Sequence, residues 1–195
     1  MKNIILIISL LFYSFSVVNA QKYVFFKSPW KGDVTVAKES KGGLNMPTIT
    51  VPERCWHMDA SLQDISIYKD VQLNDANKNK TIWCSFLALK EKGNSHLGLS
   101  FEKDNDKKIL VEAGVSQTPQ LIVVRIDYSE KTDRAYIFYS PTAAAVPDLE
   151  NAVSVLSGDF DFNRIRILAE KGSKGMVSDV FIGTNYHDVV RPNKL

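Results

Sequence analysis

Short β patterns recur along almost the whole chain, and they limit the possible folds more than any other feature of the sequence. Each pattern alternates apolar with polar residues or forms a short apolar run, and turn-forming Gly, Asn and Asp residues lie between the patterns. Many short strands at this spacing are typical of an all-β sandwich or barrel. The predicted strands are residues 23–26, 33–37, 48–51, 64–68, 81–89, 97–102, 107–112, 121–128, 134–140, 160–168 and 177–183.

The most apolar of these patterns is the segment TIWCSFLAL, residues 81–89. Alternation of side chains places Ile82 and Phe86 on one face of the predicted strand and Trp83 and Leu87 on the other. Because both faces are mostly apolar, we expect this strand to lie in the centre of a sheet and to be covered on both sides.

One stretch, residues 147–156, has helical rather than strand spacing. After a Pro-Asp start, Leu149, Ala152, Val153 and Leu156 follow one another at helical intervals. This spacing predicts a short surface helix or an irregular turn in an otherwise all-β chain.

Residues 1–20 have the pattern of a secretory signal peptide, with a lysine, an apolar run and small residues at the cleavage positions. The apolar run is short for a membrane span, and no second hydrophobic stretch follows it. Residues 21–195 have the length of a single domain. We therefore expect an exported protein, periplasmic or extracellular, with one domain and no membrane span.

The charged residues argue against a nucleic-acid partner. The sequence contains 24 Lys and Arg against 22 Asp and Glu, so its net charge is close to zero. These charges are scattered along the chain and form no basic stripe, which is the usual mark of a surface that binds nucleic acid.

The two cysteines, Cys55 and Cys84, allow two interpretations. In an oxidising compartment they can form a disulfide that closes a loop of about 30 residues. Cys84, however, lies inside the apolar segment 81–89, where a free thiol behaves as a small hydrophobic side chain. The sequence leaves both interpretations open.

Several stretches together resemble one known family. They are the Trp83-x-Ser85-Phe86 strand and residues 97–101, 121–128, 134–141 and 177–184. In this order they resemble the concanavalin A-like lectin/glucanase superfamily, in the laminin G-like branch common among exported bacterial proteins. The resemblance runs from residue 30 to residue 190. It implies a jelly-roll sandwich of two packed antiparallel sheets, with a concave face and a loop rim that relatives often use to bind glycans.

The segment near the C-terminus either closes the fold or contacts a ligand. Alternation places Val180 and Ile182 on one face of the predicted strand and Phe181 on the other. Gly183 then permits a bend of the backbone, after which Tyr186 can pack over the end of the sandwich. We expect the segment to close the fold, with a direct ligand contact as the alternative.

Catalysis is weakly supported by the sequence. Glucanases of this superfamily align carboxylates on one strand as Glu-x-Asp-x-x-Glu, and this triplet is absent. The pairs Glu53 with Asp59 and Asp159 with Asp161 lack the spacing or the strand context. A polysaccharide lyase needs a base near a cation, and residues 54–59 contain suitable types, but alternation divides them between two faces. Enzymatic activity is therefore left uncertain, and a non-catalytic protein is favoured.

Sugar binding without catalysis needs exposed aromatic faces and a few polar side chains. Trp30, Trp56 and Tyr186 are the aromatic residues least committed to strand cores, and His57 and Asp59 add polar groups beside Trp56. We take these residues as the candidate ligand-binding residues.

Metal binding is considered for calcium and zinc. Asp104 and Asp106 offer oxygen ligands at a turn, and the family resemblance implies that a loop-rim Ca²⁺ site is possible there. The alternative is that Asp residues simply favour turn geometry. Zinc is poorly supported, because His57, His96 and His187 lie far apart and no pair has ligand spacing.

The sequence thus predicts an exported, non-catalytic binding or adhesion module, and the family resemblance implies carbohydrate as its ligand. The alternative is a protein-interaction or structural protein of the cell envelope. A glycoside hydrolase or polysaccharide lyase is the least favoured interpretation. The expected partner is a glycan or a surface protein, and no cofactor is expected apart from Ca²⁺ at the candidate site of Asp104 and Asp106.

Overall fold

The computed structural model describes residues 29–42, 44–50, 54–73 and 81–192. The predicted signal peptide and the predicted strand at residues 23–26 lie outside the described residues. One short α-helix, α1, spans Tyr186–Val189, and one 3-10 helix spans Leu149–Asn151. The strands are β1 Lys31–Gly32, β2 Lys38–Lys41, β3 Ile49–Thr50, β4 Arg54–Asp59, β5 Ile65–Asp70, β6 Thr81–Lys92, β7 Leu97–Lys103, β8 Asp106–Glu112, β9 Gln120–Asp127, β10 Asp133–Tyr139, β11 Ser154–Gly158, β12 Arg164–Ala169, β13 Lys174–Ser178, β14 Phe181–Gly183 and β15 Arg191–Pro192.

Two large antiparallel sheets contain most of these strands. The smaller sheet has the order β1-β5-β12-β7-β8, and the larger has the order β11-β10-β9-β6-β13-β4-β2, with β14 also paired to β6. A short ribbon joins β15 to β3. The prediction of an all-β sandwich of two antiparallel sheets is confirmed. In the described part of the chain, neither helix has the length and apolar character needed to cross a bilayer.

The main hydrophobic core lies between the two sheets. From β6 in the larger sheet, Ile82 and Phe86 point into it, and both side chains are almost completely buried. From the smaller sheet, Phe101 on β7 meets Phe162 edge to face, with ring centres 5.1 Å apart. This face of β6 therefore follows the alternation that the sequence predicts.

A second apolar layer covers the opposite face of the larger sheet. Trp83 and Leu87 of β6 lie in it and are 4% and 1% exposed. Leu44, from the segment before β3, and Tyr186 of α1 belong to the same cluster. The prediction that β6 is buried on both faces is confirmed, because segments near both ends of the described chain supply the second cover.

The stretch at residues 147–156 is helical only over Leu149–Asn151. The backbone becomes extended at Ala152, and the Val153 N–H donates to the Ile137 carbonyl of β10 at 2.8 Å. The residues that follow form β11 instead of more helix. β-Branched valines and the open edge of β10 favour a strand at this point, which is why the helical spacing was misleading.

The predicted strand at residues 33–37 is a turn. The N–H groups of Val36 and Ala37 both donate to the Asp33 carbonyl, at 2.9 and 2.8 Å. The Asp33 side chain also accepts the Ser66 N–H of β5 at 2.9 Å. Because Asp33 holds the backbone in this turn, strand pairing begins only at β2.

The outward face of the smaller sheet carries a buried ion pair. Glu102 on β7, only 2% exposed, accepts two hydrogen bonds from Arg166 on β12, Nε to Oε1 at 2.8 Å and Nη2 to Oε2 at 2.9 Å. The Arg166 Nη1 donates to Ser66 Oγ at 3.1 Å, and Ser100 Oγ donates to Glu102 Oε1 at 3.2 Å. These contacts with Glu102 raise the pKa of the Arg166 guanidinium.

The two cysteines are free and buried on opposite faces of the larger sheet. Cys84 lies between the sheets, whereas Cys55 belongs to the outer apolar layer. Burial raises the pKa of the Cys84 thiol, which keeps it protonated and unreactive. Side chains that point away from each other cannot form a disulfide without movement of the backbone. The structure therefore agrees with the second interpretation of the sequence, in which the cysteines are free thiols.

Candidate ligand-binding site

The two tryptophans among the candidate ligand-binding residues are buried. Trp30 and Trp56 meet edge to face with ring centres 6.1 Å apart, and both belong to the main core. The Trp30 Nε1 donates to Asp179 Oδ1 at 3.0 Å, and Lys69 Nζ lies 4.7 Å from the Trp30 ring centre. The Asp179 carboxylate also accepts the Val180 N–H, in the two-residue gap between β13 and β14. These buried rings are part of the core between the sheets and offer no open face to a sugar.

Tyr186 is also part of the fold. Its ring meets Trp83 edge to face at 5.2 Å, and its hydroxyl donates to the Thr142 carbonyl at 2.5 Å. Burial raises the pKa of Tyr186 to about 12. A Cβ at Gly183 would lie 2.6 Å from the Asp188 Cβ, so the glycine is needed there for close approach. This segment closes the outer apolar layer, as the first of the two interpretations expects.

His57 and Asp59 are exposed on β4 and lie on the face opposite Trp56. The His57 Nε2 is 3.0 Å from Ser40 Oγ on β2. Asp59 accepts hydrogen bonds from the Ser61 side chain and N–H, which lower the pKa of its carboxyl group. The structure therefore separates these two polar residues from the Trp56 ring, as the alternation of side chains along residues 54–59 predicts.

Of the two candidate calcium ligands, Asp104 lies in the turn between β7 and β8, and Asp106 is the first residue of β8. Asp104 has a positive φ of 52° and accepts a hydrogen bond from Asn163 Nδ2 at 2.7 Å. Asp106 pairs with Lys108 Nζ at 3.0 Å. In the described ranges, no group of His, Cys, Asp or Glu side chains has the arrangement of a metal site. The contacts of Asp104 and Asp106 are those of a hairpin turn held by side chains.

An open cavity of about 490 Å³ lies at one end of the sandwich, where strands of both sheets meet. This volume is within the range of small-molecule sites. We call it the rim cavity. Its lining consists of Lys90, Gly93, Asn94, Glu112, Ala113, Gly114, Val115, Gln120 and Tyr139. These residues come from the ends of β6, β8 and β10, the start of β9 and two connecting loops.

The rim cavity combines an aromatic side chain with amide groups. Tyr139 is half-buried, and its hydroxyl donates to the Glu112 carbonyl at 2.7 Å. The Gln120 Oε1 accepts the Gly114 N–H at 3.1 Å. Its Nε2 and the whole Asn94 amide have no hydrogen-bond partner among the described residues. These amide groups are therefore available to a ligand.

The charges of the rim cavity cancel. Lys90 is 3% exposed, and its Nζ lies 2.6 Å from Glu112 Oε1. The Glu112 side chain is half-exposed, whereas the Lys90 side chain is buried. A buried lysine needs such a partner, because an unpaired charge in an apolar environment is costly. The lining thus offers the Glu112 carboxylate to a ligand as a hydrogen-bond acceptor, while Lys90 and Glu112 together carry no net charge.

His96 is a buried polar residue near the rim cavity. Its side chain is almost fully buried, and its Nε2 has no hydrogen-bond partner among the described residues. Its backbone N–H donates to Glu170 Oε2 at 3.3 Å. Burial lowers the pKa of the imidazole, while the nearby carboxylates of Glu112 and Glu170 oppose the shift and Lys90 and Lys107 add to it. The His96 imidazole therefore stays neutral to a lower pH in the folded protein than in the unfolded chain.

We expect this histidine to make the protein less stable in mild acid. The unfolded chain protonates His96 near the usual pKa of about 6.5, whereas the folded chain takes up this proton only at lower pH. The free energy of unfolding should therefore fall as the pH decreases below this value. Urea denaturation between neutral pH and pH 5 measures the effect. His96→Gln should make the free energy of unfolding depend less on pH, whereas the exposed control His57→Gln should leave this dependence unchanged. Equal pH dependence in the unchanged protein and in both variants would refute the assignment.

No family model matches the sequence, and no curated protein matches it.

Proposed function

We propose that this protein is a non-catalytic carbohydrate-binding module, exported to the periplasm or the cell exterior, and that the rim cavity is its ligand site. The observation that carries the proposal is that Tyr139 lines the same cavity as the side-chain amides of Asn94 and Gln120. Sugars bind to proteins through C–H groups that stack on an aromatic face and hydroxyl groups that bond to amides and carboxylates. The resemblance to laminin G-like jelly-roll proteins agrees with a glycan site at a loop rim, by analogy only.

The charge of the rim cavity favours a neutral sugar. A uronate or sulfated glycan would need a free cation to offset the desolvation of its charge. The one cation in the lining, Lys90, is already paired with Glu112. The same lining residues hold a single carboxylate, whereas hydrolysis of a glycosidic bond uses two. These two features favour neutral-glycan binding without chemistry.

The proposal is tested by Tyr139→Ala in the mature protein. A glycan array selects neutral and acidic ligands, and calorimetry then measures their dissociation constants. Loss of the aromatic face should weaken binding about tenfold, which corresponds to roughly 1.4 kcal/mol.

Tyr139→Phe is the matched control for this experiment. It keeps the ring and loses only the hydrogen bond to the Glu112 carbonyl, so binding should stay close to that of the unchanged protein. Failure of the protein to bind any glycan, or equal binding by Tyr139→Ala, would refute the assignment. Tighter binding of uronates than of neutral sugars would refute the preference for neutral ligands.

A further inference from the structure

Strand β11 lies at one end of the larger sheet, and its outer edge is free among the described strands. Among the described strands it pairs only with β10, in antiparallel register from Ser154 opposite Ile137 to Gly158 opposite Asp133. Strands of a sheet present a row of backbone N–H and C=O groups along such an edge, and another extended chain can bond to them. The backbone geometry of β11 thus fits an added strand.

The other outer strands of the two large sheets are protected, and β11 is not. β2 has the sequence KESK, β8 has the sequence DKKILVE, and β1 has only two residues and begins with a lysine. Charged and very short edge strands are the usual means of preventing strand addition. β11 has the sequence SVLSG, without charge or proline. This contrast within one molecule indicates an edge that is kept open.

Exposed apolar side chains lie beside this edge. Val153 and Val155 are 69% and 53% exposed, and Val146 and Leu149 in the preceding segment are also exposed. Alternate side chains of an added strand would meet the two valines, because side chains on one face of a sheet recur at every second residue. The edge therefore offers both backbone hydrogen bonds and apolar contacts.

Acidic side chains lie at both ends of β11. Asp148 and Glu150 precede it, Asp159 follows it, and all three are exposed. None forms an ion pair with the described residues, but the Asp159 charge also acts on the ammonium groups of Lys103 and Lys108. A cation, Arg134, lies opposite Ser157 on β10, one strand further from the free edge. A segment that docks on β11 would thus meet negative charge at each end and uncharged residues between.

We propose that β11 binds an extended segment of a partner protein that has alternating apolar side chains and lysine or arginine at both ends. Charge complementarity selects this occupant over a second copy of the chain. Antiparallel pairing of two β11 strands would place Asp148 and Glu150 of one copy near Asp159 of the other, and like charges opposed in this way are destabilising. The added strand extends the larger sheet, and basic ends pair with the three carboxylates.

Synthetic peptides provide the first test. Fluorescence anisotropy at low salt measures binding of the peptide KKTVTVTVKK, of its charge-inverted form EETVTVTVEE and of KKTVPVTVKK, in which proline removes a backbone donor. The lysine peptide should bind, the glutamate peptide should bind about tenfold more weakly, and the proline peptide should also lose affinity. No binding of the lysine peptide, or equal binding of all three, would overturn the proposal.

Variants of the protein provide the second test. Val155→Lys adds the charge that the other edges carry, at an exposed position that tolerates it, and should weaken binding of KKTVTVTVKK about tenfold. Leu62→Lys is the matched control, since Leu62 is 85% exposed in the loop between β4 and β5. Unchanged binding by Val155→Lys would overturn the proposal. So would a dimer in light scattering that Val155→Lys dissociates, because the occupant would then be a second copy.

Discussion

Replacing Arg166 with methionine is expected to lower the free energy of unfolding by about 3–5 kcal/mol. The guanidinium makes two hydrogen bonds to Glu102, whose side chain is 2% exposed, so its removal leaves a carboxylate buried without its counter-charge. The Ser100 hydroxyl would be the remaining polar contact of that carboxylate among the described residues. Urea denaturation at neutral pH measures the loss.

A double variant separates the cost of the unpaired charge from the net worth of the pair. Glu102→Leu combined with Arg166→Met removes both charges and should recover most of the lost stability, because an apolar pair often replaces a buried ion pair at little cost. If Arg166→Met alone lowers the free energy of unfolding by less than about 1 kcal/mol, solvent screens the charges of this pair as it screens those of a surface ion pair.

Replacing Leu87 with alanine is expected to lower the free energy of unfolding by about 2–5 kcal/mol. This side chain points away from the space between the sheets, and in a simple sandwich it would face water. Here it is 1% exposed inside the outer apolar layer, so its truncation leaves a cavity. Urea denaturation at neutral pH measures this loss as well.

Two further variants serve as controls for Leu87→Ala. Phe86→Ala removes the neighbouring side chain on the opposite face of β6 and should cost about 3–5 kcal/mol. Leu110→Ala, at a position 44% exposed on β8, should change stability by less than about 0.5 kcal/mol. If Leu87→Ala resembles Leu110→Ala instead of Phe86→Ala, the outer layer does not form a packed core.

The fold class could be predicted because it depends on local alternation. The double-sided burial of β6 follows directly from the apolar side chains on both of its faces, and the strand pattern fixes the all-β class. The ends of elements depend on contacts far away in the sequence. Asp33 forms a turn because it meets Ser66, and Val153 becomes extended because the edge of β10 lies beside it.

The candidate site could not be predicted in the same way. Trp30 and Trp56 look uncommitted in sequence, but both are buried in the folded chain, where Trp30 also contacts Asp179 and Lys69. The rim cavity collects residues from the ends of separate strands, so no local motif marks it. The sequence gives one local sign of this site, at Lys90. Alternation along the apolar strand β6 turns this side chain inward, and a charged side chain in such a position needs a buried partner.

The central strand β6 obtains much of its cover from the far end of the chain. It bonds to β13 and β14, the Tyr186 ring lies against Trp83, and the Ser85 hydroxyl donates to the Val189 carbonyl at 2.6 Å. During synthesis these later residues leave the ribosome well after β6 does. The most apolar strand of the protein must therefore stay without its final neighbours until residue 190 has emerged. Assembly is for this reason tied to the whole polypeptide and cannot proceed strand by strand from the N-terminus.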